Sequence, residues 1–550
     1  MDDVTRVEWR EWGQAAFDEA AESDIPVLLS LTATWCDHCH EMDEQTYAEP
    51  RIAANINDRF VPIRVDADRR PRVRDRYNMG GFPSTVFLAP DGALLTGAGY
   101  LGPDGMRQVL DSVGTMWEAK GEGASRIPRP LREDEPPAGT LSSGIEESML
   151  GQLTENYDEV AGGWGTEPKF PLPDALEFAL KRDREMALRS FDAVSANLLD
   201  EYEGGFYRFG AEADWGGIQH EKLLDSNAAL VRAFSNAYLS TGREEYQKPA
   251  SRTIEYLTTT LWNADADAFA NSQAPGEGGS YTLEASDREG ADAPPVDPGV
   301  FAGPNGLAVE ALLTYYSYTD DERARRYAER ALETLRTDLL EDGVATHRLP
   351  EADESAESLE RTPLLLTQAR TLRAALAGAS VLGAETLDDA RAVADVTIDR
   401  LRDGDSFIDA PARGTGLLDR SLRPLDANVA FADALVDLAV LTGEERYRTV
   451  ARETLEDFAG ASDRFGVQIA KYGSAAARML DDPLVVRVGT QAGSDLHRAA
   501  FRVADHEKVV VPNAADGVDR GTARVERGER VSEPAETPEK LSEQVRSLLE

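Results

Sequence analysis

Cysteine is nearly missing from this chain: its 550 residues include two. A fold stapled by disulfides, as in small secreted scaffolds, is therefore excluded. Histidine occurs six times, and without a second cysteine pair the four ligands of a structural zinc site are hard to assemble. Lysine is scarce as well: eight of the 58 Lys and Arg are Lys, against 100 Asp and Glu, for a net charge of −42. Such a surface lacks the clustered cations that phosphate backbones need, so nucleic acid is not an expected partner. No apolar run approaches the ~20 residues needed to span a bilayer, and membrane attachment is not expected either. An excess of acid with Arg in place of Lys suggests an acidic, halophilic, cytoplasmic protein, its carboxylates hydrated and their repulsion screened by salt. The length suggests roughly two to four domains.

The two cysteines stand three apart in Trp35-Cys36-Asp37-His38-Cys39-His40, after the apolar run Val27-Leu28-Leu29-Ser30-Leu31-Thr32-Ala33. A strand that delivers Cys-x-x-Cys to the start of a helix is a redox layout. The helix N-terminus presents partial positive charge to the first sulfur and eases formation of its thiolate, the attacking species. The second cysteine can then resolve a mixed disulfide. Cys36 is the expected nucleophile and Cys39 the resolving thiol, with no cofactor beyond the dithiol.

Other readings fit the same residues. Cys36-Asp37-His38-Cys39-His40 matches the c-type haem attachment pattern. That reading goes with export, and Met1-Asp2-Asp3-Val4-Thr5-Arg6 has neither the basic region nor the apolar core of a signal peptide. Zinc could use Cys36, Cys39 and a nearby His but falls short of four ligands; no metal is expected. A buried, inert pair is the remaining alternative. A protonated His38 would favour the Cys36 thiolate, whereas Asp37, Glu41, Asp43 and Glu44 oppose it. Salt screens exposed carboxylates more than helix amides at contact range, so Cys36 is expected to titrate moderately below a free cysteine.

Beyond the dithiol come a helical stretch from Pro50 to Asn57, the strand Phe60-Val61-Pro62-Ile63-Arg64-Val65-Asp66, the segment Gly80-Gly81-Phe82-Pro83-Ser84-Thr85-Val86-Phe87-Leu88 and the turn Pro90-Asp91-Gly92. This order resembles the thioredoxin fold, and the resemblance implies that Pro83 is the cis proline facing the dithiol. Backbone beside such a proline can pair with an extended substrate. Trp35, His38, Phe82 and Pro83 are the expected substrate-binding residues.

Residues 121–140, rich in Pro, Gly and charge, read as a linker. Helical periodicity then dominates to about Leu480, and one phrase recurs: Tyr238-Leu239-Ser240-Thr241-Gly242-Arg243-Glu244-Glu245-Tyr246 has an echo in Ala439-Val440-Leu441-Thr442-Gly443-Glu444-Glu445-Arg446-Tyr447, with weaker copies at 316–322 and 380–385. Each phrase marks a helix end, a tight turn and the start of the next helix. Copies stand about 60 to 80 residues apart, too far for ~34-residue repeats. The spacing suits helical hairpins with long loops, closing into an (α/α) toroid; an open solenoid is the architectural alternative. The loops carry glycines beside aromatics, a pattern that suits backbone approaching a ligand and rings stacking on sugar faces. Examples are Gly162-Gly163-Trp164-Gly165-Thr166-Glu167-Pro168-Lys169-Phe170-Pro171, Gly204-Gly205-Phe206, Trp215-Gly216-Gly217-Ile218-Gln219-His220-Glu221-Lys222 and Gly276-Glu277-Gly278-Gly279.

Taken together, the Cys-x-x-Cys-His segment, Gly-Gly-Trp-Gly with Pro-Lys-Phe-Pro, His-Glu-Lys with Asn227-Ala228, and Asn305-Gly306-Leu307 resemble the spermatogenesis-associated protein 20 family. The resemblance implies a thioredoxin-like domain fused to an (α/α)6 barrel like those of glycan epimerases and six-hairpin glycosidases. This chain departs from the family pattern in two places. Asn271-Ser272-Gln273-Ala274-Pro275-Gly276 stands where members carry an acidic stretch, and Pro304 stands where they carry Trp. Glycosidase chemistry needs a pair of carboxyl groups; the candidates left are Glu221, Asp225 and Glu277, with Glu167 or Asp214. His220 suits acid–base work near neutrality, or a packing cluster with Glu221 and Lys222. For Trp164, Phe170, Phe206 and Trp215, core packing is favoured over ligand stacking. The toroid pocket candidates are thus Trp164, Lys169, Phe206, His220, Glu221, Lys222, Asp225, Glu277 and Asn305.

The chain divides on this reading into a thioredoxin-like domain (1–120), a linker (121–140), an (α/α)6 toroid (141–482) and a small β-containing C-terminal appendage (483–550). In the appendage 484–488 and 508–512 read as strands, 495–501 and 540–549 as helices, and 513–536 as a mobile charged segment. Three functions compete: a thiol-disulfide oxidoreductase whose toroid binds a protein client or small ligand; a carbohydrate isomerase or hydrolase with a regulatory thioredoxin-like domain; and a non-enzymatic protein-binding scaffold. The partners expected are a thiol or disulfide client or reductant, and a carbohydrate or other small ligand in the toroid.

Overall fold

The computed structural model describes residues 5–131, 135–276, 279–283, 285–288, 290–351, 354, 361–383, 385–514 and 517–549. The chain divides into two units: 1–135 together with 409–423, and 136–408 together with 424–550.

In the first unit, strand β1 (Val27–Thr32) pairs parallel with β2 (Val61–Asp66) and antiparallel with β3 (Ser84–Leu88), which pairs with β4 (Leu94–Ala98). The sheet order is β2-β1-β3-β4. Near-continuous apolar β1 and β3 are what a sheet covered on both faces requires, because successive side chains point to opposite sides. Val27, Leu29, Leu31, Val86 and Leu88 enter one core with Trp12, Phe17 and Tyr77, whereas Leu28 and Phe87 enter another with Ile52, Ile56, Leu110 and Trp117. The helices are α1 (Gln14–Ser23), α2 (Asp37–Met42), α3 (Pro50–Arg59), α4 (Pro71–Tyr77) and α5 (Pro103–Lys120). Part of the stretch read as a linker is built into this unit: Arg126 bridges to Leu94, and Leu131 is buried in the first core. The unit also includes Asp409–Arg423, whose Leu417 and Leu418 lie in that core. From sequence alone this segment falls within the expected toroid, 141–482.

The second unit is built from helical pairs. Its helices are α6 (Gly144–Glu155), α7 (Pro173–Arg182), α8 (Arg184–Leu198), α9 (Leu224–Thr241), α10 (Glu244–Thr259), the short α11 (Ala285–Arg288), α12 (Ala302–Thr319) and α13 (Glu322–Thr334). They continue as α14 (Leu365–Ala377), α15 (Leu387–Leu401), α16 (Leu425–Thr442), α17 (Glu445–Glu456) and α18 (Ala470–Asp481). Helices α7, α9, α12, α14, α16 and α18 each pack on the next, and α18 returns to α7, closing an inner ring. Around it α8, α10, α13, α15, α17 and α6 pack on α7, α9, α12, α14, α16 and α18 respectively. The (α/α)6 toroid is therefore present, with its first outer helix completing the last pair. Inner helices such as α12 are apolar on nearly every side, and outer ones such as α13 bury a single stripe of Ala324, Ala328, Ala331 and Leu332. The recurring phrases sit at the short inner-to-outer turns, where Gly242, Asp320, Gly383 and Gly443 adopt left-handed φ and end the helices.

Long outer-to-inner connections crowd the opposite end, and four of the small hairpins there are fastened by an amide from the following inner helix. Asn227 accepts from Phe206 N–H and donates to Phe206 C=O, and Asn305 does the same with Phe269 and Asn428 with Phe407. Gln368 binds Ala345 N–H and Gly343 C=O. These amides satisfy buried loop backbone that would otherwise cost about 1–3 kcal/mol per unpaired group.

The C-terminal part holds a four-stranded sheet in the order 509–511, 485–488, 523–527, 530–531, with α19 (Asp495–Phe501) and α20 (Pro538–Leu549). Within 513–536, read from sequence as a mobile charged segment, Ala523–Arg527 is an interior strand, and Ala523, Val525 and Ala535 are buried. Alternating small and charged residues leave that strand only two inward apolar side chains, Ala523 and Val525, too weak a pattern to stand out.

Candidate functional site

Cys36 and Cys39 form a disulfide, with Cα atoms 5.3 Å apart. Buried β1 ends just before it, and Cys36 caps α2: its Sγ accepts the Cys39 N–H at 3.1 Å. A sulfur that already accepts a helix amide is placed to hold negative charge once the disulfide opens. Cys36 is 5% exposed and Cys39 2%, so both sulfurs of the disulfide lie in buried residues.

Trp35 donates its indole N–H to Asp68 at 2.9 Å and meets Phe82 edge to face, ring centres 5.6 Å apart. The Phe82–Pro83 bond is cis. His38 points outward: its Nδ1 lies 3.4 Å from Glu41 Oε2 and its ring 5.8 Å from Tyr100. Among the acids that crowd the dithiol, Asp43 is paired with Arg64, which stacks over Trp9, and burial pushes the Asp43 carboxyl up. Among the described residues no group of three or more His, Cys, Asp or Glu is arranged to hold a metal ion, and no helix is long and apolar enough to cross a membrane.

At the toroid's loop end two matching constructions appear. Asp158 precedes the Gly162-Gly163 turn and Asp200 the Gly204-Gly205 turn, all four glycines having positive φ. Lys169 Nζ donates to Asp158 at 2.5 Å and to Ala213 C=O, and Lys222 Nζ donates to Asp200 at 2.7 Å and to Gly204 C=O. Both lysines are buried. Arg288 adds two bonds to Asp200 and stacks over Tyr281. His220 stacks on Tyr281 (5.6 Å), with Tyr207 edge-on to it (4.8 Å), and Lys222 lies against the rings of Tyr207, Tyr256 and Tyr281. Burial lowers His220, and burial also lowers Lys222 to about 8 despite Asp200. For Asp200 burial works against ionisation, but Arg288 and Lys222 outweigh it and hold the carboxyl at about 2.

The structure therefore gathers His220 and Lys222 and scatters the other candidates. Glu221 pairs with Arg208 at 3.0 Å, and Asp225 lies half-exposed 4.0 Å from Arg370. Trp164 is in the core with its indole bonded to Leu153 C=O, Phe206 stacks on Phe234, and Trp215 is buried against Lys169. Phe170 packs on Phe209, Asn305 holds its hairpin, and Glu167 and Asp214 are exposed. Glu277 lies outside the described residues.

A depressed carboxyl contributes stability that is complete above its unfolded value and lost as pH falls through the folded one. Asp200, moved from 3.8 to about 2, should thus contribute about 2 kcal/mol at neutral pH. Calorimetry between pH 6 and 2 should show the toroid transition falling below pH 4, and Asp200→Asn should flatten part of that fall.

Sequence reasoning missed the charges on the inner ring. Arg232 of α9 donates to Glu177 of α7 at 3.0 and 2.8 Å, to Glu310 of α12 at 3.2 Å and to Asp174 at 3.2 Å. Arg373 of α14 and Arg478 of α18 both bind Asp433 and Asp437 of α16, and Lys471 stands 3.6 Å from Asp433. Burial opposes the Asp433 charge, but these cations hold its carboxyl far below the usual range. The visible signal is an Asp pair four apart on a mostly apolar helix.

Residues 2–131 match a family model named Thioredox_DsbH and described as a protein of unknown function, DUF255. Human spermatogenesis-associated protein 20 is 28% identical over 321 residues, 50% of this chain and 40% of that protein; the match thus spans less than half of the curated relative. The thiol:disulfide interchange protein DsbD 1 of Pseudomonas aeruginosa is 35% identical over 82 residues, 14% of each. A solved sugar epimerase from a ruminal bacterium covers 58% of this chain and 86% of its own, at 14% identity and a TM-score of 0.47. The chain resembles spermatogenesis-associated protein 20, with a thioredoxin-like unit followed by an (α/α)6 toroid.

Proposed function

We propose that the protein is a thiol-disulfide oxidoreductase acting on a protein client. The observation that carries this reading is the Cys36–Cys39 disulfide at the head of α2, with Cys36 Sγ on the Cys39 amide. In the reduced enzyme the Cys36 thiolate attacks a client disulfide, and the departing client thiolate takes up a proton. Cys39, deprotonated, then attacks Cys36 Sγ in the mixed disulfide and releases the second client sulfur. Two electrons pass to the client, the enzyme ends as the disulfide, and a dithiol donor returns it to the start. Phe82 and Pro83 would align the client chain, and the toroid would recruit it. The acid-rich composition supports a salt-rich cytoplasm as the place of work. Reduction of insulin with dithiothreitol as donor tests the reading; no acceleration over dithiothreitol alone would refute it.

A second reading rests on His220, packed between Tyr207 and Tyr281, where burial lowers the imidazole and favours its neutral form. An imidazole biased to its neutral form in the loops at the toroid's end suits proton abstraction in a carbohydrate isomerase. Sugar turnover lost in His220→Ala and kept in Cys36→Ser would favour it.

A further inference from the structure

The segment Asp409–Arg423 leaves the chain between the strand 406–407 and α16, yet it is part of the first unit. It is received by α4. Arg76, whose side chain is 0% exposed, uses every donor of its guanidinium. Nε bonds Leu417 C=O at 2.8 Å; Nη1 bonds Asp409 Oδ2 at 2.8 Å and Arg72 C=O at 3.2 Å; Nη2 bonds Asp409 Oδ1 at 3.2 Å and Arg420 C=O at 2.5 Å. Arg72 adds bonds to Pro411 and Leu418 C=O. Tyr77, the last residue of α4, accepts the Leu417 N–H and donates to Gly92 C=O, both at 2.9 Å. The segment runs so close to that turn that a Cβ on Gly92 would stand 2.4 Å from Gly416 Cα.

Directly after Tyr77 the chain enters the loop that leads to Pro83. Asn78 Oδ1 accepts the N–H groups of Gly80 and Gly81 at 2.7 and 2.9 Å, and Ser84 Oγ accepts Met79 N–H and donates to Gly81 C=O. Phe82, carried by this loop, touches Trp35, the residue before Cys36. A continuous path of bonds thus runs from Asp409 through Arg76, Tyr77 and Asn78 to the residues beside the disulfide.

We propose that Asp409–Arg423 is a positioning strap for the dithiol site: by fixing the end of α4 it sets the Phe82–Pro83 loop against Trp35, so that an extended client segment meets ordered backbone. The inference rests on the oxidoreductase reading for its kinetic consequence, but not for its structural one. Arg76 and Asp409 are positioning residues, without contact to the reacting sulfurs.

The test uses the full chain in three forms: Arg76→Lys, which keeps the charge but offers three donors for five; Asp409→Asn; and a chain with a protease site built in at exposed Arg413, nicked after folding. Backbone amide exchange at 78–84 is followed by mass spectrometry, with insulin reduction and the dithiol reduction potential measured in parallel. Exchange in this loop is expected to rise about tenfold in the variants, and kcat/KM for insulin to fall about tenfold, mainly through KM, with the potential unchanged. Unaltered exchange at 78–84 in the nicked chain and in whichever variant folds would overturn the strap. So would a loss of activity that tracks a shifted potential. If the unaltered protein fails to reduce insulin, the oxidoreductase reading falls, and the exchange result still decides the strap.

Discussion

Replacing Cys36 by serine should reduce insulin turnover to the dithiothreitol background, whereas replacing Cys39 by serine should stop the reaction half-way. The two losses differ in kind because the sulfurs have different tasks. Without Cys36 no bond to the client forms. Without Cys39 the Cys36 thiolate still attacks, but nothing resolves the mixed disulfide, so client and enzyme accumulate as a covalent pair that dithiothreitol splits. The proposed order of roles rests on one feature: Cys36 Sγ caps the helix and accepts the Cys39 amide. Non-reducing electrophoresis with an oxidised client reads both outcomes. A trapped complex with Cys36→Ser in place of Cys39→Ser would reverse the assignment.

The second large effect is on stability. Asp433→Ala should lower the stability of the toroid by about 3–5 kcal/mol, seen as a downward shift of its calorimetric transition. Asp433 is buried and bound by Arg373 and Arg478, with Lys471 near by. Removing the carboxylate leaves two buried guanidiniums facing each other with Asp437 alone between them, and their desolvation is no longer offset. Exchange of Cys36–Cys39 with glutathione, which needs no recruitment by the toroid, should be unaffected. A shift under 1 kcal/mol would mean that water reaches the ring and screens it as at a surface.

Much of this architecture was readable because it is local. Cys36-x-x-Cys39 after an apolar strand, Phe82-Pro83 before another, and Gly242 and Gly443 at helix ends each depend on neighbours within a few residues. The features that escaped depend on distant partners. Arg76 looks like a solvated helix residue until Asp409, far along the chain, is placed against it. Asn227 and Asn305 were read as parts of a family segment, but their amides serve hairpin backbone 21 and 36 residues earlier. Asp433 and Asp437 break an apolar pattern without saying which cations repair it. The lysines of Pro-Lys-Phe-Pro and His-Glu-Lys were candidates for a pocket, and the structure gives each an Asp beside a Gly-Gly turn. Spacing names the residue type, and only the fold supplies the partner.

The central claim is that Cys36 and Cys39 exchange electrons with other thiols as a pair. Its most direct measurement is equilibration of the full chain in graded mixtures of reduced and oxidised glutathione, with free thiols trapped by alkylation and counted by mass. The account predicts that both cysteines gain or lose reactivity together in one two-electron transition, with a small population of glutathione adduct confined to Cys36. A pair that stays oxidised or stays reduced throughout, or cysteines that react independently, would contradict it.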